Sequence, residues 1–442
     1  MTKEPLLAHI EEVQRRWDAA LAAAGIDAVV VAAGASAPYF LDDQSPPFRP
    51  NPHFAQWVPG APCEHGLLLV RPGGKARLFF LRTEDYWHVP PAPPEVDARA
   101  IELIECPSRD ALMSGVLREI AGTRRTAYLG EVIGQGTNLP VLELNPVALL
   151  HQLDYRRAVK TPFEVECMRA ANRTAASGHL AALRAYEQGA SEYATHLAYL
   201  EASSQTEAGL PYSSIVAQNE HAGVLHYQHY DRTAPAQRRS FLIDAGAKHL
   251  GYAADVTRTH AAEPGAFADL IQGLDLRQQS LVGDLRPGLS YVDLHERMSR
   301  DVGALLAEAG LVTCSADAAF ESGITDTFFP HGLGHLLGLQ THDVGGHQVS
   351  PDGAMRPPPE RYPALRLTRE IETSHVFTVE PGIYFIPMLL ARLRASRAGR
   401  DVSWDRVEAL VPFGGIRIED NVLVTATGHE NLTRDAFASA AR

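Results

Sequence analysis

"FLIDAGAKHLGYAADVTRTH", residues 241–260, holds two β runs separated by a short loop that carries Gly246 and Gly251. Asp244 closes the first run and Asp255 sits within the second. Folded back as a hairpin, the stretch brings both carboxylates to one face. A half-buried strand does not ordinarily tolerate such groups, because a carboxylate stripped of water is costly unless a counter-charge meets it.

Two further runs repeat the pattern. In "VFTVEPGIYF", residues 376–385, Glu380 follows a β-branched run and precedes a Pro-Gly turn. In "GIRIEDNVLV", residues 415–424, Arg417 and Glu419 alternate with Ile416 and Ile418 and so share one face. Helical stretches at 267–285 and 291–310 lie between the second and third β runs, so this part of the chain reads as α+β with a mostly antiparallel sheet. It opens at a helix start: Thr161 as N-cap, Pro162 at the first helical position and Glu164 three residues after the cap. The boundary falls near residue 157, giving domains of 1–157 and 158–442.

The first domain reads as α/β. Apolar residues at helical spacing over 6–25 stop at Gly25, and "IDAVVVAA", "GLLLVRPGGKARLFFL" and "TAYLGE" read as strands, the second a hairpin turned on Pro72-Gly73-Gly74. Residues 42–66, "DDQSPPFRPNPHFAQWVPGAPCEHG", are proline-rich and read as a long loop without regular structure.

Composition narrows the function. The 442 residues are 45% hydrophobic and 21% charged, as in ordinary globular proteins. A net charge of −13 speaks against binding a nucleic-acid backbone, which needs clustered Lys and Arg. The four cysteines are scattered and form no CxxC pair, so neither a disulfide framework nor a thiolate zinc site is indicated, and reduced thiols in a cytoplasm fit best. The N-terminus has no apolar targeting core, and no apolar run reaches the roughly 20 residues that cross a bilayer. The expectation is a cytoplasmic chain without membrane or nucleic-acid partners.

The acids need positive charge, and "PHGLGHLLGLQTHDVGGH", residues 330–347, supplies imidazoles: His331, His335, His342 and His347. Two Asp, two Glu and a His form a mixed oxygen and nitrogen ligand set suited to Mn²⁺, Co²⁺, Fe²⁺ or Zn²⁺. Carboxylates that bridge two such ions generate a hydroxide nucleophile near neutral pH and stabilise an oxyanion. The chemistry implied is hydrolysis.

The ordered series Asp244, Asp255, His335 with His342 seven residues on, Glu380 in "EPG" and Glu419 in "IRIED" resembles the pita-bread metallopeptidases, the group of methionine aminopeptidases, aminopeptidases P and prolidases. "FLDDQSPPFRPNPHF", "LPYSSIVAQNE", "HGLGHLLGLQTHDVGG", "LRLTR", "VFTVEPGIYFI" and "PFGGIRIEDNV" are similar in order and spacing to bacterial Xaa-Pro dipeptidases and organophosphorus acid anhydrolases. The resemblance implies an α/β N-terminal domain ahead of an α+β pita-bread (creatinase/aminopeptidase-like) catalytic domain.

It also implies roles. Asp244 chelates one metal, His335 and Glu380 the other, while Asp255 and Glu419 bridge two divalent ions per subunit, Mn²⁺ first, with Co²⁺ or Zn²⁺ as alternatives. Glu380 shuttles a proton to the leaving nitrogen. His331, His342 and His226 line the substrate site and donate to the carbonyl oxygen. Arg366 grips the free carboxylate of a dipeptide, Tyr212 lies in the substrate pocket, and Arg417, counted with the substrate residues, orients the metal carboxylates. Asp42 and Asp43 lie in an N-terminal segment that, in the family's homodimers, reaches toward the active site and limits substrate length. The activity implied is hydrolysis of Xaa-Pro dipeptides. Organophosphorus hydrolysis is the runner-up, followed by aminopeptidase P activity, and a metal-free binding module is disfavoured because all five ligand residues are present.

Overall fold

The structure is a computed structural model that describes residues 3–131 and 142–440. The chain divides into two compact units, one built mainly from Met1–Arg157 and the other mainly from Val165–Val349 and Met355–Arg442.

The first unit holds a six-stranded mixed sheet. Strand Ala28–Ala32 lies inside it, antiparallel to Leu67–Val70 and parallel to Thr126–Leu129. Leu67–Val70 turns back antiparallel onto Ala76–Leu81. Its centre is apolar at every position because both faces are covered. Val29 and Val31 pack with Trp17 and Trp57, while Val30 and Ala32 pack with Leu112 and Val116 of helix Arg109–Ile120. Helix Lys3–Ala24 ends at Gly25, whose φ of 65° suits a left-handed helix cap. The expected long loop differs in one respect: Asn51 caps a short helix, Pro52–Ala55, that buries Phe54. Proline is welcome in a first helical turn, so the proline count misleads there.

Thr161 and Glu164 form the reciprocal cap read from the sequence, with the Thr161 N–H donating to Glu164 Oε2 at 2.7 Å, and helix Pro162–Glu187 follows. In the second unit every strand pair is antiparallel. Ser240–Asp244 lies between Ile215–Gln218 and Thr257–Ala261, with Asp244 opposite Thr257. The second β run is therefore interrupted at Asp255, with strand Tyr252–Ala253 before it and Thr257–Ala261 after it. Residues 254–256 leave the regular ladder where Gly246 lets the hairpin close, since a Cβ at Gly246 would lie 2.1 Å from the Ala254 carbonyl oxygen.

Two other strand pairs break at matching points. Val376–Val379 pairs with Asp420–Val424, and Gly382–Tyr384 pairs with Gly415–Arg417. Glu380 and Glu419 fall in the gaps where each chain changes sheets. Helices Ala266–Gly283 and Tyr291–Glu308 contribute Leu274, Leu281, Met298 and Val302 to the core shared with Phe377, Val379, Ile416 and Val422.

Candidate metal centre

Backbone geometry delivers the acids to one place. The Asp255 N–H donates to Asn421 Oδ1 at 3.0 Å, and Asn421 Nδ2 donates back to the Asp255 carbonyl. Glu419 forms a bridge to Thr257, whose hydroxyl donates to Glu419 Oε2 at 2.7 Å. His335 lies outside regular structure but pairs its backbone with Thr378, and the Glu380 N–H donates to the Leu333 carbonyl. Gly334 makes that approach possible: a Cβ there would sit 2.1 Å from the Thr378 carbonyl oxygen. Donor atoms of Asp255, His335 and Glu419, all buried, lie within 4.8 Å of one another. His335 Nε2 is 3.5 Å from both Asp255 Oδ2 and Glu380 Oε1. Asp244 is turned differently, its carboxylate accepting from the Tyr212 hydroxyl at 2.7 Å and from Arg417 Nη2 at 2.8 Å.

The electrostatics are those of crowded acids. Burial, and then the charges of Asp255, Glu380 and Asp244, drives Glu419 well above the carboxylate range. Burial raises Glu380 to about 7 against the pull of His335, and raises Asp244 against the pull of Arg417. His335 feels burial as a lowering, yet the hydrogen bond to Asp255 and the charges of Glu380 and Asp255 raise it overall. Four carboxylates thus share one imidazole and one guanidinium. His335 donates through Nδ1 to the Leu336 carbonyl at 3.0 Å, so Nε2 faces the acids and, on losing its proton, would offer them a lone pair. Oxygen-rich donors with a single imidazole, short of positive charge, fit divalent cations.

Arg417 is committed to groups of the chain itself. It is buried, and it spends Nη2 on Asp244, Nη1 on the Tyr384 hydroxyl at 2.8 Å and Nε on Thr257 at 3.3 Å. It holds the Asp244 carboxylate. Tyr212 likewise serves Asp244. His331 donates through Nδ1 to the Gly332 carbonyl at 2.8 Å and accepts at Nε2 from the Tyr384 hydroxyl at 2.9 Å, an assignment that follows from the carbonyl being an acceptor only, and its Nδ1 lies 3.8 Å from Glu380 Oε2. Burial, then the charge of Arg417, lowers it to about 3.

His342 and His226 are exposed, and among the described residues neither ring nitrogen has a protein partner. The His342 ring meets His335 edge to face at 4.4 Å. Partial burial, followed by the charges of His335 and Arg366, pulls His342 to about 4. Arg366 is exposed and its guanidinium has no acceptor among the described residues. His347 is accounted for by a bond to Thr368 Oγ1 at 3.0 Å. Asp42 and Asp43 lie exposed in the first unit. Tyr384, Thr257 and Asn421 were missed in the sequence. Thr257 follows Asp255 by two, a spacing that marks one face of a strand, but Tyr384 and Asn421 carry no local sign.

Residues 166–426 match metallopeptidase family M24, and residues 6–155 match the N-terminal domain of Xaa-Pro dipeptidases. The chain belongs to metallopeptidase family M24, whose members use divalent metals. Within that class it is similar to the Xaa-Pro dipeptidase of Pseudoalteromonas atlantica, 42% identical over 97% of each chain, and to that of Aeromonas hydrophila, 43% identical over 97% of each. The fold is shared with Escherichia coli aminopeptidase P bound to the inhibitor Pro-Leu, at a TM-score of 0.72, 22% identity and coverage of 100% of this chain and 99% of the other.

Proposed function

We propose that this chain is a metal-dependent Xaa-Pro dipeptidase. The observation that carries the proposal is the convergence of Asp255, His335 and Glu419 within 4.8 Å at the edge of Glu380, in a chain similar over nearly its whole length to Xaa-Pro dipeptidases. Asp244, Asp255, His335, Glu380 and Glu419 would hold two divalent ions, Mn²⁺ first and Co²⁺ or Zn²⁺ as alternatives. When bound, such ions supply an acidified water and positive charge for a developing oxyanion. The rest falls to the chain's own groups.

Glu380 keeps 17% of its side chain exposed against 8% for Asp255, so of these two acids it is the one able to meet substrate and carry a proton to the proline nitrogen. His342 and His226, with free ring nitrogens, donate to the substrate carbonyl oxygen. Arg366 binds the free carboxylate through its planar fork. Arg417 and Tyr212 keep Asp244 in place. Length selection by the segment around Asp42 and Asp43, in a cytoplasmic homodimer, belongs to the same proposal and is supported by Phe40 and Leu41, each 92% exposed beside those acids.

The test is metal-stripped protein restored with Mn²⁺, Co²⁺ or Zn²⁺ and offered glycyl-proline, a tripeptide with proline second, and a phosphotriester. Preferred cleavage of the dipeptide is expected, with Arg366→Ala raising KM for it while sparing the uncharged triester. Faster release of the tripeptide's first residue, or faster triester turnover, would replace this proposal with the corresponding alternative.

A further inference from the structure

We propose that Glu192 is a positioning residue that holds the 218–231 segment, and with it His226, in the arrangement the substrate site requires; this rests on the role given to His226 above. Residues 219–239 connect the antiparallel neighbours Ile215–Gln218 and Ser240–Asp244, and His226 sits within that connection. A span so long keeps no fixed shape from its ends alone. Asn219 closes its base, with Oδ1 accepting from the Arg239 N–H at 2.7 Å and Nδ2 donating to the Gln237 carbonyl at 2.7 Å.

The middle is gathered on one carboxylate. Glu192 begins helix Glu192–Ser203 and is 1% exposed. Its Oε1 accepts from the Gln218 N–H and from His221 Nδ1, both at 2.8 Å. Its Oε2 accepts from the Tyr227 hydroxyl and from the Asp231 N–H, both at 2.7 Å. All four donors come from the one segment, and Tyr227 is the residue next to His226. The Tyr227 ring also stacks on His221 at 4.5 Å. Glu192, His221 and Asp231 bring ligand-type atoms within 4.8 Å, but the four hydrogen bonds already fill the lone pairs of Glu192, so the arrangement reads as an anchor and not as a metal site. His226 itself has no protein partner among the described residues, and it lies within electrostatic reach of both His331 and His342. Its position is therefore set by its neighbours' grip on Glu192.

A carboxylate is needed there. An amide has one accepting oxygen and a donating NH₂, and the two backbone N–H groups sit on opposite oxygens. Whichever way a glutamine amide is turned, one of those N–H groups faces another donor.

The test uses the metal-loaded full chain, with Glu192→Gln and the milder Tyr227→Phe made alone and in combination with His226→Ala. Glu192→Gln should lower kcat/KM for a turned-over substrate by about tenfold to hundredfold, the range of a lost charged hydrogen bond, and Tyr227→Phe by less. Both losses should vanish in the His226→Ala background. Amide exchange over residues 219–231 should quicken in Glu192→Gln with metal content unchanged. Losses that add to that of His226→Ala, unchanged exchange, or a metal ion lost with Glu192→Gln would overturn the proposal. Should Glu192→Gln fail to fold, the Tyr227→Phe cycle decides alone. A wild type inactive on Xaa-Pro dipeptides would sink the dipeptidase proposal, while exchange would still judge Glu192.

Discussion

Lys160→Met should destabilise the catalytic unit far more than an ordinary lysine replacement. Lys160 Nζ lies 2.8 Å from Asp343 Oδ2, and both side chains are only 1% exposed. Asp343 also accepts the Val344 N–H at 3.0 Å and follows His342 directly, so the pair secures the loop that presents that imidazole. Removing the ammonium leaves the Asp343 charge buried without it, a change worth about 3 to 5 kcal/mol. At roughly 2 to 4 °C per kcal/mol for a unit of this size, the melting temperature should fall by about 6 to 20 °C. Lys160→Met with Asp343→Asn removes both charges, and the isosteric amide oxygen can still take the Val344 N–H. Because a buried pair is near break-even against neutral replacement, the double variant should recover most of the loss. Thermal unfolding of the four proteins of this cycle, followed by circular dichroism, is the assay. A double variant as unstable as Lys160→Met, or a single shift under about 2 °C, would refute the reasoning.

Three further outcomes are expected. Glu419→Gln should lose at least one metal and all measurable hydrolysis, since an amide cannot replace a bridging charge; two ions per chain with activity retained would exclude the ligand role. His342→Ala should keep its metals and turn over roughly 10² to 10³ times more slowly, the cost of one oxyanion donor, and a lost ion would instead make His342 a ligand. Asn421→Ala frees both backbone groups of Asp255 and should weaken metal binding by about tenfold to hundredfold, read by chelator competition. Affinity equal to wild type would show that Asp255 is held by other means.

Much of this protein was legible in its sequence because the signals were local. The Thr161-Pro162-Glu164 cap, the Gly25 stop, the Pro-Gly-Gly hairpin and the alternation in "GIRIED" each act within a few residues, where periodicity and turn chemistry decide the conformation. Acids inside β-branched runs stood out for the same reason: their cost is visible without knowing what lies across from them. The proline-rich 42–66 stretch misled because composition does not reveal that Asn51 can cap a turn. What only the tertiary structure decided is how those groups are oriented. Asp255 lies in a break between two short strands, at the crossing that Gly246 permits. Glu380 and Glu419 face each other because two strand pairs break at the same level. Arg417 belongs to Asp244 and Tyr384, His331 to Gly332 and Tyr384, and Glu192 to four donors up to 39 residues away. A hydrogen bond depends on the position of both partners, and for residues far apart in the chain that position is set by how the sheets pack, which no local pattern encodes.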